Sequence, residues 1–588
     1  MKNFFLILII LMFLKIDSND ELGKTNGAYI KTPDQDLLEF RLGNSAQEYL
    51  DYKDYLNNSI PDLIKMAGYN GYRKNFSPND IEDKKNATIQ FCQKNIDLGL
   101  LDIIGYLNIV NSDFIFSNGN LYKPIWEDEE NSIINKDNYW AKFVYNIINT
   151  YKKYVKIWEV WENIDFTLKT DPQNWMVFPP NSSDLENWKW SIFEYIRLLR
   201  ITYDIAKKLD PECWISVGGI KYYEFLDALL RYTDNPINGT ITNDFPTFGG
   251  AYFDCISYNK EDWAKIRDLE SNQIYNNNGS DSLAMKLLIS KKNHHYIIKK
   301  YGFGDKYPDK IFIINKVDLS TSKKEFPDIE LLRRNFIIKL SLLSLEYNIK
   351  QIHYYTLRSD GYYKGDYSTI NIENITDNIN HLKNSSKGRI ILNKINIGKF
   401  KFDKKKANQF RKKLPKNLSQ NLSGIVLKRH FPRENNEKYY FKYIYSAWIY
   451  CDNNEISGSV SLTLNIPFNP LMIDWEGNEK NITNETSITI SSIPIFLLGN
   501  IDNESNEEED DEDNSKRNKD NDLNDPDKNN NSMVIKYIII FGILFLIIIV
   551  IFIVLIIYKK KKSKSKNNGV KFEINNELGG GLLIKADD

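Results

Sequence analysis

The sequence predicts an α/β fold: a (β/α)8 TIM barrel followed by a β-sandwich, with a single C-terminal transmembrane helix. Three observations carry this. Between residues 27 and 360, short β-branched or aromatic runs alternate with amphipathic helical stretches. Between 387 and 500, helical periodicity gives way to successive short strand-like runs. Residues 537–558 are 22 uncharged positions, mainly Ile, Phe, Leu and Val. That length crosses a bilayer at ~1.5 Å per helical residue.

The elements follow in order. Residues 1–18 pair a basic start, Lys2, with an apolar run from Phe4 to Leu14 and a polar exit at Ser18. This is the pattern of a secretory signal peptide. Residues 19–380 form the barrel. Its expected strands are 28–31, 69–76, 101–106, 155–161, 214–217, 253–258, 311–314 and 351–356. The expected helices are 89–98, 139–152, 188–209, 225–232, 283–301 and 329–347. Eight strands with helices between most of them fit a closed parallel barrel. A doubly wound sheet is the alternative, but no G-x-G-x-x-G follows the first strand. Residues 381–500 form the sandwich, with strands expected at 390–402, 424–430, 439–450, 457–466 and 487–498.

The last three segments are set by charge. Residues 501–533 hold thirteen acids and four bases, net -9. Such a run buries little apolar area, so 501–536 is expected to be a disordered stalk. After the span, residues 559–588 hold eight Lys and four acids, net +4, beginning with Lys559-Lys560-Lys561-Lys562. Clustered Lys beside a span marks the cytoplasmic side. The chain therefore reads as a single-pass type I protein of the cell surface or a secretory-pathway membrane, its bulk exoplasmic. Fourteen N-x-S/T sequons agree with that placement, among them Asn75, Asn86, Asn181, Asn238 and Asn278.

Composition excludes other classes. The chain has 588 residues, 42% hydrophobic, and its 77 Lys and Arg nearly balance 78 Asp and Glu. Balanced charge argues against a nucleic-acid partner. Five His, and four Cys without zinc-like spacing, leave no metal site, and no motif calls for a cofactor. Cys213 and Cys255 fall at or beside neighbouring strands, so a bridge and free thiols both stay open. The pair His294-His295, in an expected helix, reads as surface.

In a TIM barrel, chemistry gathers at the C-terminal ends of the strands. The second strand carries Arg73. The fourth runs Lys156-Ile157-Trp158-Glu159-Val160-Trp161-Glu162-Asn163-Ile164-Asp165. The sixth ends Ser257-Tyr258-Asn259, the seventh Ile313-Ile314-Asn315, and the eighth contains His353-Tyr354.

In these stretches the sequence resembles the clan A glycoside hydrolases, most nearly family 39, the β-xylosidase and α-L-iduronidase group. The resemblance covers roughly residues 60–360 and is most specific over 156–165. It implies that the fourth strand runs into Asn-Glu-Pro, whose Glu is the general acid/base. It also implies a nucleophilic Glu on the seventh strand and a His at the end of the sixth. This chain has Asn163, Asn315 and Asn259 at those positions. Retaining cleavage needs two carboxyls ~5–5.5 Å apart. An amide neither protonates a leaving oxygen nor attacks an anomeric carbon well.

Glu162 lies one place early. In a regular strand that shift turns it to the other face, and a bulge would restore it. Asp318, three residues past Asn315, is the alternative second acid. Glu159 is expected as a barrel-interior partner of Arg73 or of a Lys. Arg73, Trp161, Asn259 and Tyr354 are the expected substrate-binding residues, the two aromatic ones because aromatic faces stack on sugar rings. Three readings follow. The first is an inactive glycosidase-like protein with a carbohydrate or glycoconjugate ligand. The second is an active glycosyl hydrolase with Glu162 and Asp318 or another acid. The third is a surface antigen without a ligand.

Overall fold

In a computed structural model, the structure describes residues 33–45, 60–109, 117–260, 266–317, 329–354, 384–414, 422–432, 441–451, 459–462, 471–482 and 488–499. The segments expected as signal, stalk, span and tail (1–18, 501–536, 537–558 and 559–588) lie outside the described residues. Among the described residues, no helix is long and apolar enough to cross a membrane.

Eight parallel strands close into a barrel: β1 Arg41–Asn44, β2 Gly71–Phe76, β3 Ile103–Leu107, β4 Val155–Val160, β5 Trp214–Ile220, β6 Cys255–Lys260, β7 Ile311–Val317 and β8 Ile349–Tyr354. Each strand pairs with its sequence neighbours, and β1 closes on β8 with Gly43 opposite His353. A helix follows every strand: α1 Ile60–Met66, α2 Lys85–Asp97, α3 Tyr139–Tyr151, α4 Ile192–Leu209, α5 Tyr223–Arg231, α6 Ser280–Lys300, α7 Ile329–Glu346 and α8 Asn384–Lys394.

Two cores hold it together. A plug inside the barrel contains Ile104, Ile157, Trp214, Cys255, Ile311 and Ile313. A larger sleeve between strands and helices includes Trp140, Trp158, Trp188, Tyr195, Phe225 and Ile338. Alternation along each strand sends one parity to the plug and the other to the sleeve. Local chemistry fixes the helix starts. Ser191 caps α4, its hydroxyl accepting from the Phe193 amide at 3.2 Å while Glu194 accepts from the Ser191 amide at 3.0 Å. Asn138 caps α3 by accepting from the Ala141 amide at 3.0 Å.

Four expectations are corrected. The opening strand is Arg41–Asn44, where the chain alternates a glycine beneath His353 with outward Leu42; residues 28–31 lie outside the described residues. The stretch expected as a strand at 390–402 is the end of α8 to Lys394, then a turn and a 3-10 helix at Ile397–Lys399, and only Phe400–Phe402 is extended. The barrel therefore runs past residue 380, because α8 supplies its eighth helix. His294 is fully buried against Tyr258, donating from Nδ1 to the Ser290 carbonyl at 2.7 Å. Burial pushes its pKa down to about 4.

After α8 come β9 Phe400–Phe402, α9 Lys404–Lys413, β10 Leu422–Arg429, β11 Tyr443–Ile449, β12 Ser459–Leu462, β13 Leu471–Ile473, β14 Glu479–Asn481, β15 Ile488–Ser491 and β16 Ile495–Gly499. Six form one antiparallel sheet in the order β9-β10-β11-β16-β13-β14, and β12 pairs with β15 alone. Among the described residues, the second layer is thus a strand pair rather than the full sheet a sandwich needs. The sheet is fastened to the barrel through Asp281, at the start of α6. That carboxylate accepts from Trp448 Nε1 at 2.8 Å, the Cys451 amide at 2.7 Å and Lys339 Nζ at 2.6 Å. Cys92, Cys213, Cys255 and Cys451 are all buried free thiols.

Candidate functional site

The upper barrel is polar where the plug is apolar, and its centre is an ion pair. Arg73 on β2 grips Glu159 on β4 with both edges of its guanidinium, Nε to Oε2 at 3.1 Å and Nη2 to Oε1 at 3.0 Å. Both side chains are fully buried. Such a fork is directional and charge-assisted. Nη1 donates to Glu162 at 3.0 Å and to Ser45 Oγ at 3.2 Å, and the guanidinium lies 4.1 Å above the Tyr106 ring. Burial opposes the Arg73 charge, but Glu159 and Glu162 outweigh it and raise the pKa above its ordinary value. Burial pushes the Glu159 carboxyl up, while Arg73 pulls it down. The expected pairing of Glu159 with Arg73 is what the barrel contains.

The three asparagines at the resembled catalytic positions converge on the same end of the barrel. Asn315 Nδ2 donates to Glu159 Oε1 at 2.7 Å. Asn259 Nδ2 donates to Asn163 Oδ1 and, at 3.0 Å, to the Gly219 carbonyl. Asn315 and Asn259 are nearly sealed, and Asn163 is half-buried.

Irregular backbone makes this arrangement. β7 shifts register against β6 between Ile314 and Lys316, so Asn315 sits on a bulge. β5 shifts between Val217 and Ile220, at Gly218-Gly219. A Cβ on Gly218 would meet the Val160 carbonyl at 2.3 Å, and one on Gly219, where φ is +37°, would meet Asn315 Nδ2 at 2.5 Å. Only glycine fits at either place. The Tyr195 hydroxyl fills the gap, donating to the Val160 carbonyl and accepting from the Gly218 amide, each at 2.9 Å.

The same departure settles where Glu162 points. Trp161 and Asn163 have φ of +68° and +47°, so the chain leaves the β4 pattern. Strand parity no longer applies, and both side chains reach the mouth, Glu162 to Arg73 and Asn163 to Asn259. The turn sends Trp161 the other way. Its ring is 6% exposed, packed on Trp188 and Trp140 with centroids 5.0 and 6.4 Å away. Tyr354, 4% exposed, packs against Tyr69 and Arg389 in the helix sleeve. Neither expected sugar-stacking ring lines the mouth. For Tyr354 the reason is parity, since His353 takes the inward position. His353 Nε2 lies 2.8 Å from Gln351 Oε1, and burial holds its pKa down at about 3. Asp318 lies outside the described residues.

Three contributors escaped the sequence reading. Ser45 completes the Arg73 shell. Asn75, two places beyond Arg73 on β2, has a buried Oδ1 without a hydrogen-bond partner among the described residues, as does Asn315. Asp165 accepts from the Lys221 and Tyr222 amides at 2.8 and 2.7 Å, tying the loop after β4 to the start of α5, and burial raises its pKa to about 7. The signal for Asn75 was its parity, which it shares with Arg73. Ser45 and Asp165 depend on loop paths that no local pattern encodes. Among the described residues, no cluster of His, Cys, Asp or Glu is arranged to hold a metal ion.

The arrangement supplies hydrogen bonds more readily than proton transfer. Both Glu159 oxygens are engaged, one by two donors, and the side chain is sealed from solvent. Of the two carboxylates on Arg73, Glu162 is the one with access, its side chain 12% exposed.

No protein-family model matches the chain, and no curated protein matches it by sequence. Solved structures similar to it include a GH30 endoxylanase from Clostridium papyrosolvens, 12% identical over 80% of this chain and 98% of that one, TM-score 0.41. A glucosidase from Croceicoccus marinus is 11% identical over 80% and 97%, TM-score 0.39. The endo-beta-1,4-mannanase from Thermotoga petrophila is 12% identical over 78% and 99%, TM-score 0.35.

Proposed function

We propose that this protein is a membrane-anchored, exoplasmic, glycosidase-like barrel that binds carbohydrate at the strand C-terminal mouth without cleaving it. One observation carries the reading. The positions where the resembled chemistry needs ionisable groups hold three amides, each hydrogen-bonded to another of them or to Glu159. Amides donate and accept hydrogen bonds to sugar hydroxyls but transfer no proton at neutral pH. The buried carboxylate beside them, Glu159, is committed to Arg73. Loss of a general acid alone costs ~10²–10⁴ in rate.

The test uses the full-length chain in detergent micelles. Glycan-array binding without turnover of aryl β-xylosides, β-glucosides or α-L-iduronides is expected. Binding is expected to fall in Asn163→Ala and Asn259→Ala, which remove hydrogen-bonding groups and no charge. No binding to any glycan would leave a surface protein without a ligand.

A second reading has its own support: the irregular turn brings Glu162 to the mouth beside Arg73. In that reading Glu162 is the displaced acid of a working hydrolase, with Asp318 or another acid as its partner. Turnover abolished by Glu162→Gln would establish it and overturn the first.

A further inference from the structure

The sequons are not equivalent once folded. Asn75 is part of barrel strand β2, its Oδ1 buried, and the hydroxyl of its sequon, Ser77, donates to Asp80 at 3.0 Å. In Asn86-Ala87-Thr88 the Thr88 hydroxyl is buried and donates to Asp80 at 2.8 Å. In Asn278-Gly279-Ser280 the Ser280 hydroxyl is buried on Lys339 Nζ at 2.7 Å. By contrast, Asn181 with Ser183 and Asn238 with Thr240 present both the asparagine and the hydroxyl residue at the surface.

A second observation marks these same two sites. Four of the most exposed large apolar residues lie in the same two loops: Ile237 at 86%, Leu168 at 77%, Phe178 at 67% and Val177 at 64%. Arg231, the last residue of α5 before the second loop, donates to the Trp175, Met176 and Val177 carbonyls of the first. Ile237 adjoins Asn238 directly, and Phe178 lies three residues before Asn181. Single exposed apolar residues are ordinary, but a group of this exposure on neighbouring loops invites association.

We infer that Asn181 and Asn238 are N-glycosylated and that each glycan covers the apolar residues beside it in its own loop, Val177 and Phe178 for Asn181 and Ile237 for Asn238. The inference rests on the exoplasmic placement proposed above. The donor is a polyprenyl-diphosphate-linked oligosaccharide. The Asn Nδ2 forms a bond to the anomeric carbon, the bond from that carbon to the diphosphate oxygen breaks, polyprenyl diphosphate leaves, and one amide proton is released.

The test is expression of the full chain in a eukaryotic secretory host, with peptide mass spectrometry after enzymatic deglycosylation in H₂¹⁸O. Asn181 and Asn238 are expected to carry the isotopic mark, and Asn75 not. Asn181→Gln and Asn238→Gln are each expected to remove one glycosidase-sensitive mobility step. The double variant should bind more of a hydrophobic reporter dye, and Val177→Ser, Phe178→Ser and Ile237→Ser in that background should reverse the gain. Unmodified Asn181 and Asn238 in a chain that carries glycans at other sequons would overturn the inference and leave the placement standing. A chain with no glycan at any sequon would overturn both. Unchanged dye binding in the double variant would overturn the covering role.

Discussion

Asn315 donates its side-chain amide to Glu159 Oε1 at 2.7 Å, so the residue at the resembled nucleophile position serves the buried ion pair beneath the mouth. A carboxylate in its place would face Glu159 with like charge in a sealed site, where one of the two must stay protonated. The amide therefore does for the barrel what an acid there would undo.

Asn315→Asp is accordingly expected to lower Tm at pH 8, by the equivalent of about 1–3 kcal/mol for a buried mismatched polar group. The loss should shrink at pH 5. The introduced acid has a raised folded pKa, so the folded state binds more protons and gains stability as pH falls. Thermal unfolding at both pH values checks this; an equal loss at each would refute the like-charge account.

Removing one partner of the Arg73–Glu159 pair leaves an uncompensated buried charge. Arg73→Met and Glu159→Leu should each cost about 3–5 kcal/mol. The double variant should be less destabilised than the two losses added, since neither charge of the pair remains to strand. Glu162, which also accepts from Arg73, limits the recovery. Urea unfolding of the four proteins measures the coupling.

Asp281 holds three donors from two parts of the chain, α7 and the end of β11, and its own burial pushes its pKa up. Asp281→Ala takes the carboxylate away from the fully buried Lys339 ammonium. The expected cost is about 3–5 kcal/mol. Limited proteolysis should then cut first between α8 and the sheet, whereas cutting within the barrel strands would contradict a fastening role.

The buried histidines set the acid limit. His353 and His294 have folded pKa values near 3 and 4, below the ordinary 6.5, because burial disfavours the cation. Between those values and 6.5 the unfolded chain binds more protons, so stability is lost as pH falls through that window. At pH 5 each contributes a loss of about 2 kcal/mol. Asp165 acts in the opposite sense: its pKa near 7 makes the folded state lose stability as pH rises from about 4 to 7. His353→Gln should flatten the fall in Tm between pH 6.5 and 5, and Asp165→Asn should steepen it.

Periodicity alone located most of the barrel. Strands β2 to β8 fall where β-branched runs end in polar residues, because inward and outward parities must differ in a closed sheet. Asn163, Asn259 and Asn315 were singled out by the resemblance rather than by periodicity, whereas the pairing of Glu159 with Arg73 followed from two inward charges on nearby strands. The eighth helix was missed because α8 carries Ser, Lys and Gly with a weak apolar stripe, and its buried face joins Ile391 and Leu392 to polar residues, Arg389 packing under Tyr69 and Tyr354.

What the sequence determined by itself is the identity of the groups at the strand ends, since residue type fixes which can ionise and which can only hydrogen-bond. What the tertiary structure decided is their direction. Positive φ at Trp161 and Asn163, the bulge at Asn315 and the glycine pair under Tyr195 are each stabilised by contacts from distant segments. Those contacts turn Glu162 into the mouth and Trp161 out of it, a reversal that strand alternation, being local, does not contain.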